Sequence, residues 1–443
     1  MKRSPDGDGQ FTAAAVAPEA PVGRQPHVRR DLARVGAGNY AARLGHAADR
    51  IPACGAAGIP AVVPELERTR HPALGRAGVS VGIIDTGVDA THPELAAAYN
   101  TEDSRSFLPD QACSMDPDCA DPGVDPLGHG TGVAGIIAAA RDGRGIGGAA
   151  PGVDLVSLKA GDATGSFSTE AVSQAIRYGA DTELDILVMA FTTDPWFRYC
   201  TDAPGDTAEE RAQQAADLEE IESALDYAAA HGTILIAAAG NEGFDLDHGT
   251  ADWFSSGYSG QGPREVNDSC VTMPAQSDAV ITVGAANATG ERASYANIGQ
   301  AVDIVAPGGE PLWYDEDGVP HGQDTAILTT VPQGLLRDAG VLAEDGSSTS
   351  PEVIAECDQR TDTCRYYWYV CGTSYAAPQV AAAAAILIAR GTPASRAGNK
   401  LLALASPIGC PAQDSELLCQ DRAAGGNTWY GSGTLRLGRF ARW

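Results

Sequence analysis

Residues 366–389 carry no charge and end in an alanine-rich apolar run. Such a run is long enough to cross a bilayer. Gly372, Thr373, Ser374, Pro378 and Gln379 interrupt it, however. The stretch therefore predicts a helix buried on all sides by protein, which demands layers of structure around it. Proline is tolerated in a first helical turn, so the helix is expected to open near Ser374 with Pro378 in that turn. Free backbone N–H groups and the positive end of the helix dipole would then lie beside the serine hydroxyl.

The rest of the chain supplies those layers. Short runs rich in β-branched residues and bounded by turn signals predict strands at 79–84, 154–158, 185–191, 233–239, 279–285 and 302–305. Helical patterns at 128–140, 169–178 and 209–230 alternate with them. That alternation argues for an α/β fold, a parallel β-sheet with helices on both faces. In such sheets functional groups gather at the carboxyl ends of the strands, where Asp85 and Asn241 are expected. Residues 1–72 read as an extension, partly disordered or a short pro-segment. One domain spans 73–443, with insertions near 101–125, 193–215, 245–270 and 309–369.

A formal net charge of −28 opposes binding to nucleic acid. A hydrophobic content of 44% is enough for a sizeable core. Ten cysteines without a C-x-x-C pattern suggest disulfides, and hence export. Cys113/Cys119, Cys357/Cys364 and Cys410/Cys419 are close in sequence, whereas the pairing of Cys54, Cys200, Cys270 and Cys371 stays open. The N-terminus does not resemble a signal peptide, because acidic residues follow Met1-Lys-Arg and the apolar patch is short.

A serine hydroxyl is a weak nucleophile until a base takes its proton, and that base needs an orienting group. His129, between glycines at a helix start, is the candidate base. Asp85, at a strand end, is the candidate orienting carboxylate. Singly, each residue has an ordinary structural explanation, as a cap, a helix start or a turn. Their order along the chain, Asp then His then Ser, is what points to one site. Other chemistries lack their motifs. There is no second D-T-G, no G-x-S-x-G, no H-E-x-x-H and no P-loop.

These blocks carry a resemblance. Asp85-Thr-Gly, His129-Gly-Thr, Gly240-Asn241 and Gly372-Thr-Ser-Tyr-Ala-Ala-Pro378 resemble the signature blocks of subtilisin-like serine peptidases, the subtilases, as do the connectors at 273–284 and 305–308. The resemblance implies a three-layer fold and an endopeptidase working through an acyl-enzyme. In it Asp85, His129 and Ser374 would form the triad, with the Asn241 side chain and the Ser374 N–H as oxyanion donors. Ala190, Phe191 and Thr192, facing Ala238, Ala239 and Gly240, would flank the pocket for the residue before the scissile bond. Residues 163–167, with Gly165 and Phe167, would form an outer edge strand. An inactive binding protein of the same shape is the alternative.

Three departures from the family pattern matter. Thr192 stands where the family commonly has glycine, which narrows the pocket rim. Gly132 replaces a second histidine and is expected to loosen the helix start by about 1 kcal/mol. Tyr375 replaces an oxidisable methionine after the nucleophile. No cofactor is required. Structural calcium is conceivable at the acidic run Asp116, Asp118 and Asp121, whereas the short stretch 140–148 lacks the family's calcium loop. The expected partners are polypeptide substrates, met by a monomer without a membrane span.

Overall fold

The computed structural model describes residues 78–437, apart from 110–112, 114–116, 261, 315–319, 324, 359, 362, 412–418 and 424. The extension 1–72, Cys54 and Asp116 lie outside the described residues. In chain order the strands are β1 Ser80–Asp85, β2 Arg105–Ser106, β3 Asp154–Lys159, β4 Ile186–Met189, β5 Ile234–Ala238, β6 Ala251–Asp252 and β7 Arg264–Glu265. They continue with β8 Val280–Ala286, β9 Val302–Pro307, β10 Trp313–Tyr314, β11 Pro320–His321, β12 Ile327–Thr330, β13 Val353–Asp358 and β14 Thr363–Val370. The helices are α1 His129–Ala138, α2 Thr169–Asp181, α3 Ala208–Ala230, α4 Gln333–Asp338, α5 Thr373–Ala389 and α6 Ala394–Ala403.

Seven strands form one parallel sheet in the order β2-β3-β1-β4-β5-β8-β9. Every residue of β1, β4 and β5 is buried, as parallel strands covered on both faces require. The period of two sorts their side chains. Val81, Ile83, Ile186, Val188 and Ile236 pack with α1 and α5 on one face. Ile84, Leu187, Met189, Leu235 and Ala237 pack with α2 and α3 on the other. The expected three-layer α/β architecture is therefore present. Because β1 lies between β3 and β4, the chain reverses its progress across the sheet there, which places Asp85 at a topological switch point.

Residues 373–388 of α5 are all buried. The uncharged run is not one element, however, since β14 occupies its first part and the helix begins only at Thr373. Pro378 consequently lies in the second turn of α5 rather than the first, and it cannot donate to the carbonyl of Ser374 four residues back. The long polar insertion also holds more order than its composition suggests. In it β12, β14 and β13 form an antiparallel sheet; beyond it, α6 follows α5.

All three sequence-close cysteine pairs are bonded, and Cys200 pairs with Cys270. Cys371 is disulfide-bonded as well. Cys357 and Cys364 are cross-strand partners, so their bridge closes a hairpin of an ordered sheet. The Cys200–Cys270 bridge joins two insertions that also share the buried guanidinium of Arg264. That group makes a bidentate pair with Asp206 at 2.7 and 2.6 Å and reaches Asp252 at 3.3 Å. It further donates to Gln214 at 2.6 Å and lies over the Trp196 ring. Among the described residues no helix is long and apolar enough to cross a membrane.

Removing the cation from a buried ion cluster strands its anions. Arg264→Met should therefore lower stability by about 3–5 kcal/mol, read from denaturant unfolding of the disulfide-intact chain. A change below about 1 kcal/mol would contradict this account of the insertions.

Candidate active site

Asp85 ends β1 and is buried, and His129 opens α1. His129 Nδ1 lies 2.8 Å from Asp85 Oδ1 and 3.0 Å from Oδ2. A carboxylate only accepts, so Nδ1 carries the proton and Nε2 is left as the basic nitrogen. Such proximity requires α1 to press against the loop after β1. A Cβ on Gly130 would collide with the carbonyl of Gly87 and crowd the Asp85 side chain. Burial pulls the His129 pKa down, but the charge and hydrogen bonds of Asp85 outweigh it, so the imidazole titrates above its ordinary value.

Asp125 locks the two segments together. Its Oδ1 accepts from Thr86 Oγ1 at 2.7 Å, Gly128 N at 2.9 Å and Leu127 N at 3.2 Å. Its Oδ2 accepts from Thr131 N at 2.8 Å and Thr131 Oγ1 at 2.7 Å. Thr86 N in turn donates to Asp85 Oδ1 at 2.8 Å. One buried carboxylate thus ties the Asp85 turn to the first turn of the His129 helix, and burial raises its pKa. Sequence reasoning passed over Asp125. The available signal was a carboxylate three residues before a glycine-opened helix.

Ser374 is the second residue of α5, and its Oγ donates to Ala190 O at 2.9 Å. It makes no hydrogen bond to His129. The adjacent Tyr375 ring lies 5.7 Å from the imidazole. Asn241 follows β5 and accepts at Oδ1 from Thr373 N at 2.8 Å and Thr373 Oγ1 at 2.9 Å. With Oδ1 committed, Nδ2 is the end turned away from Thr373. Gly240 N donates to Thr373 Oγ1 at 3.1 Å. The fold therefore gathers Ala190, Gly240, Asn241 and Ser374 at the start of α5.

The remaining pocket candidates sit nearby, with one correction. Of the expected edge strand 163–167, the first part is a tight turn, because Asp162 Oδ1 accepts from Thr164 N, Thr164 Oγ1 and Ser166 N, while Phe167 makes an isolated antiparallel bridge to Gly161. A Cβ on Gly165 would touch Leu127, beside the His129 helix. Phe167 and Phe191 stack face to face with centroids 4.0 Å apart, and both are buried. Thr192 is half-buried, whereas Ala238 and Ala239 are buried.

The insertion sheet lies on α1. Thr329 Oγ1 donates to Gly132 O at 2.6 Å, and Thr330 Oγ1 to Thr131 O at 2.7 Å. A side chain at 132 would press on Thr329 and Tyr375, so the glycine lets a strand dock on this helix. Of the acidic run considered for calcium, Asp121 offers its side chain to Gly123 N at 2.8 Å and its carbonyl to Lys159 Nζ at 3.3 Å. Among the described residues no group of three or more His, Cys, Asp or Glu converges as metal ligands.

An α/β sheet of this architecture is also found among known proteins. The model of the subtilase family matches residues 76–400, and the chain belongs to that family. Subtilisin E of Bacillus subtilis (strain 168) is 30% identical over 248 residues, which is 55% of this chain and 51% of that protein. The chain thus spans about half the length of such curated relatives. Subtilisin DY of Bacillus licheniformis is 27% identical over 355 residues, 79% of this chain and 93% of that protein. Among solved structures, a lanthipeptide protease superposes with a TM-score of 0.56 at 24% identity, covering 82% of this chain and 87% of its own. The nisin leader peptidase NisP of Lactococcus lactis gives 0.54 at 22%, covering 77% and 85%. At such identities the structural likeness concerns the fold.

Asp125→Ala leaves five donors without their acceptor. It should destabilise the chain by about 3 kcal/mol or more, visible as a lower urea midpoint. An unchanged midpoint would remove Asp125 from this role.

Proposed function

We propose that the chain is a serine endopeptidase that hydrolyses peptide bonds through an acyl-enzyme. The observation that carries this reading is the contact of His129 Nδ1 with buried Asp85 at 2.8 Å, on the same sheet edge as Ser374 and Asn241. Ser374 Oγ leaves Ala190 O, turns to His129 Nε2 and attacks the scissile carbonyl as the imidazole takes its proton. Asp85 stabilises the resulting imidazolium. Asn241 Nδ2 and the Ser374 N–H hold the developing oxyanion. His129 then returns the proton to the leaving amine as the C–N bond breaks. Water next attacks the acyl group while His129 takes its proton, and that proton passes to Ser374 Oγ as the ester bond breaks.

Polypeptides are the proposed substrates, with Ala190, Thr192, Ala238, Ala239 and Gly240 around the residue before the scissile bond. The buried, stacked Phe167 and Phe191 make the floor beneath these residues apolar, in keeping with a preference for apolar or aromatic side chains. The reaction calls for no cofactor. The disulfides support an exported protein.

Two substitutions test the proposal on a mixed peptide library. Ser374→Ala should abolish turnover and labelling by a fluorophosphonate. Asn241→Ala should lower kcat by about 10²–10³-fold, a range taken from loss of the corresponding donor in subtilisin rather than calculated from this geometry. A wild-type chain that neither turns over peptides nor takes the label would replace the peptidase by a binding protein of the same fold. Because Tyr375 has no thioether, activity should also persist under peroxide concentrations that oxidise exposed methionine. Rapid peroxide inactivation with the disulfides intact would contradict that expectation.

A further inference from the structure

Tyr295 is buried, and its hydroxyl sits among three backbone groups. It donates to the carbonyls of Gly308 at 2.8 Å and Gly309 at 2.9 Å, and it accepts from Gly372 N at 2.9 Å. Two residues on, buried Asn297 spends its whole side chain on the loop that carries Asn241. Its Nδ2 donates to Ala239 O at 3.0 Å and Glu242 Oε2 at 2.7 Å. Its Oδ1 accepts from Glu242 N at 3.2 Å and Phe244 N at 2.8 Å. Asn297 N also donates to Gly240 O at 3.1 Å. One short segment therefore grips both backbone stretches from which the proposed oxyanion donors come.

We propose that Tyr295 is a positioning residue for transition-state stabilisation, acting through Gly372 and Thr373 on Asn241. This rests on the reading of Asn241 and Ser374 given above. The hydroxyl fixes Gly372, which places Thr373. The N–H and hydroxyl of Thr373 then hold Asn241 Oδ1 and so aim Nδ2, while the next N–H along the chain is that of Ser374. Oxyanion donors act over a window of a few tenths of an ångström around the charge that develops, so a small displacement costs rate without changing how the ground state binds. The Tyr295 ring packs in the main core and does not belong to the pocket. Loss of its hydroxyl leaves Gly372 N still bonded to Gly308 O at 2.9 Å, so that amide keeps a partner while its orientation loosens and Gly309 O loses the Tyr295 donor.

The test uses the full chain, one chromogenic peptide substrate, and the variants Tyr295→Phe, Asn241→Ala and their combination. Tyr295→Phe should lower kcat on the order of tenfold with KM within about twofold, at an unchanged circular dichroism spectrum. In the Asn241→Ala background the same substitution should lower kcat by much less, because the donor it aims is gone. A kcat for Tyr295→Phe within about twofold of wild type, a loss confined to KM, or an equal loss in both backgrounds would overturn the proposal. Ser374→Ala separates the two levels. Turnover surviving that substitution removes the nucleophile itself and this inference with it, whereas turnover lost there and retained in Tyr295→Phe refutes the inference alone.

Discussion

The contact between Asp85 and His129 sets the demands that the surrounding structure meets. A buried carboxylate and an imidazole approach within 2.8 Å only if strand β1 ends against the first turn of α1. Gly130 permits the approach, and Asp125 holds it by accepting from both segments. The same contact has opposite consequences for stability and reactivity. A raised folded-state pKa means that the contact stabilises the fold fully below the unfolded pKa of histidine and loses that contribution as pH rises through the folded value. A general base must be neutral, so the proposed activity grows over the range in which that stabilisation fades.

The second organising demand is burial of α5. Its small side chains allow strands of the sheet to pack close, and its start is the point where the loops after β4, β5 and β9 meet. Ala190 comes from the first, Gly240 and Asn241 from the second, and Gly308 from the third. Tyr295 and Asn297 then act as a brace across these loops. The insertions are anchored by other physics. The cluster around Arg264 and the Cys200–Cys270 bridge hold one pair, while the β12–β14 sheet is held by Thr329 and Thr330 on glycine-bearing α1.

Much of this was legible in the chain because the signals are local. Runs such as Ser80–Asp85 have strand composition throughout, and α3 opens with a capping box formed by Thr207 and Glu210. The four candidate site residues stand out because each lies at an element end beside glycine or threonine. What escaped depends on distant partners. Thr363–Val370 is rich in aromatic and β-branched residues, but it merges with the next helix into one uncharged run, and only its pairing with β12 and β13 marks it as a strand. Asp125 and Arg264 read as surface charges until partners such as Thr86, 39 residues away, and Asp206, 58 residues away, enclose them. The edge strand that the resemblance implies at 163–167 gives way over its first part to a turn because Asp162 closes its side chain on the backbone that follows.

The central claim is that Asp85 lifts the basicity of His129 and fixes which nitrogen carries its proton. The most direct measurement is the NMR titration of the His129 ring in the Ser374→Ala chain, with and without Asp85→Asn. The account predicts a pKa above the ordinary histidine value when Asp85 is present. It predicts a clear fall in Asp85→Asn, where burial acts without the compensating charge. A ring that titrates at or below the ordinary value with Asp85 in place, or that does not respond to its neutralisation, would contradict the account.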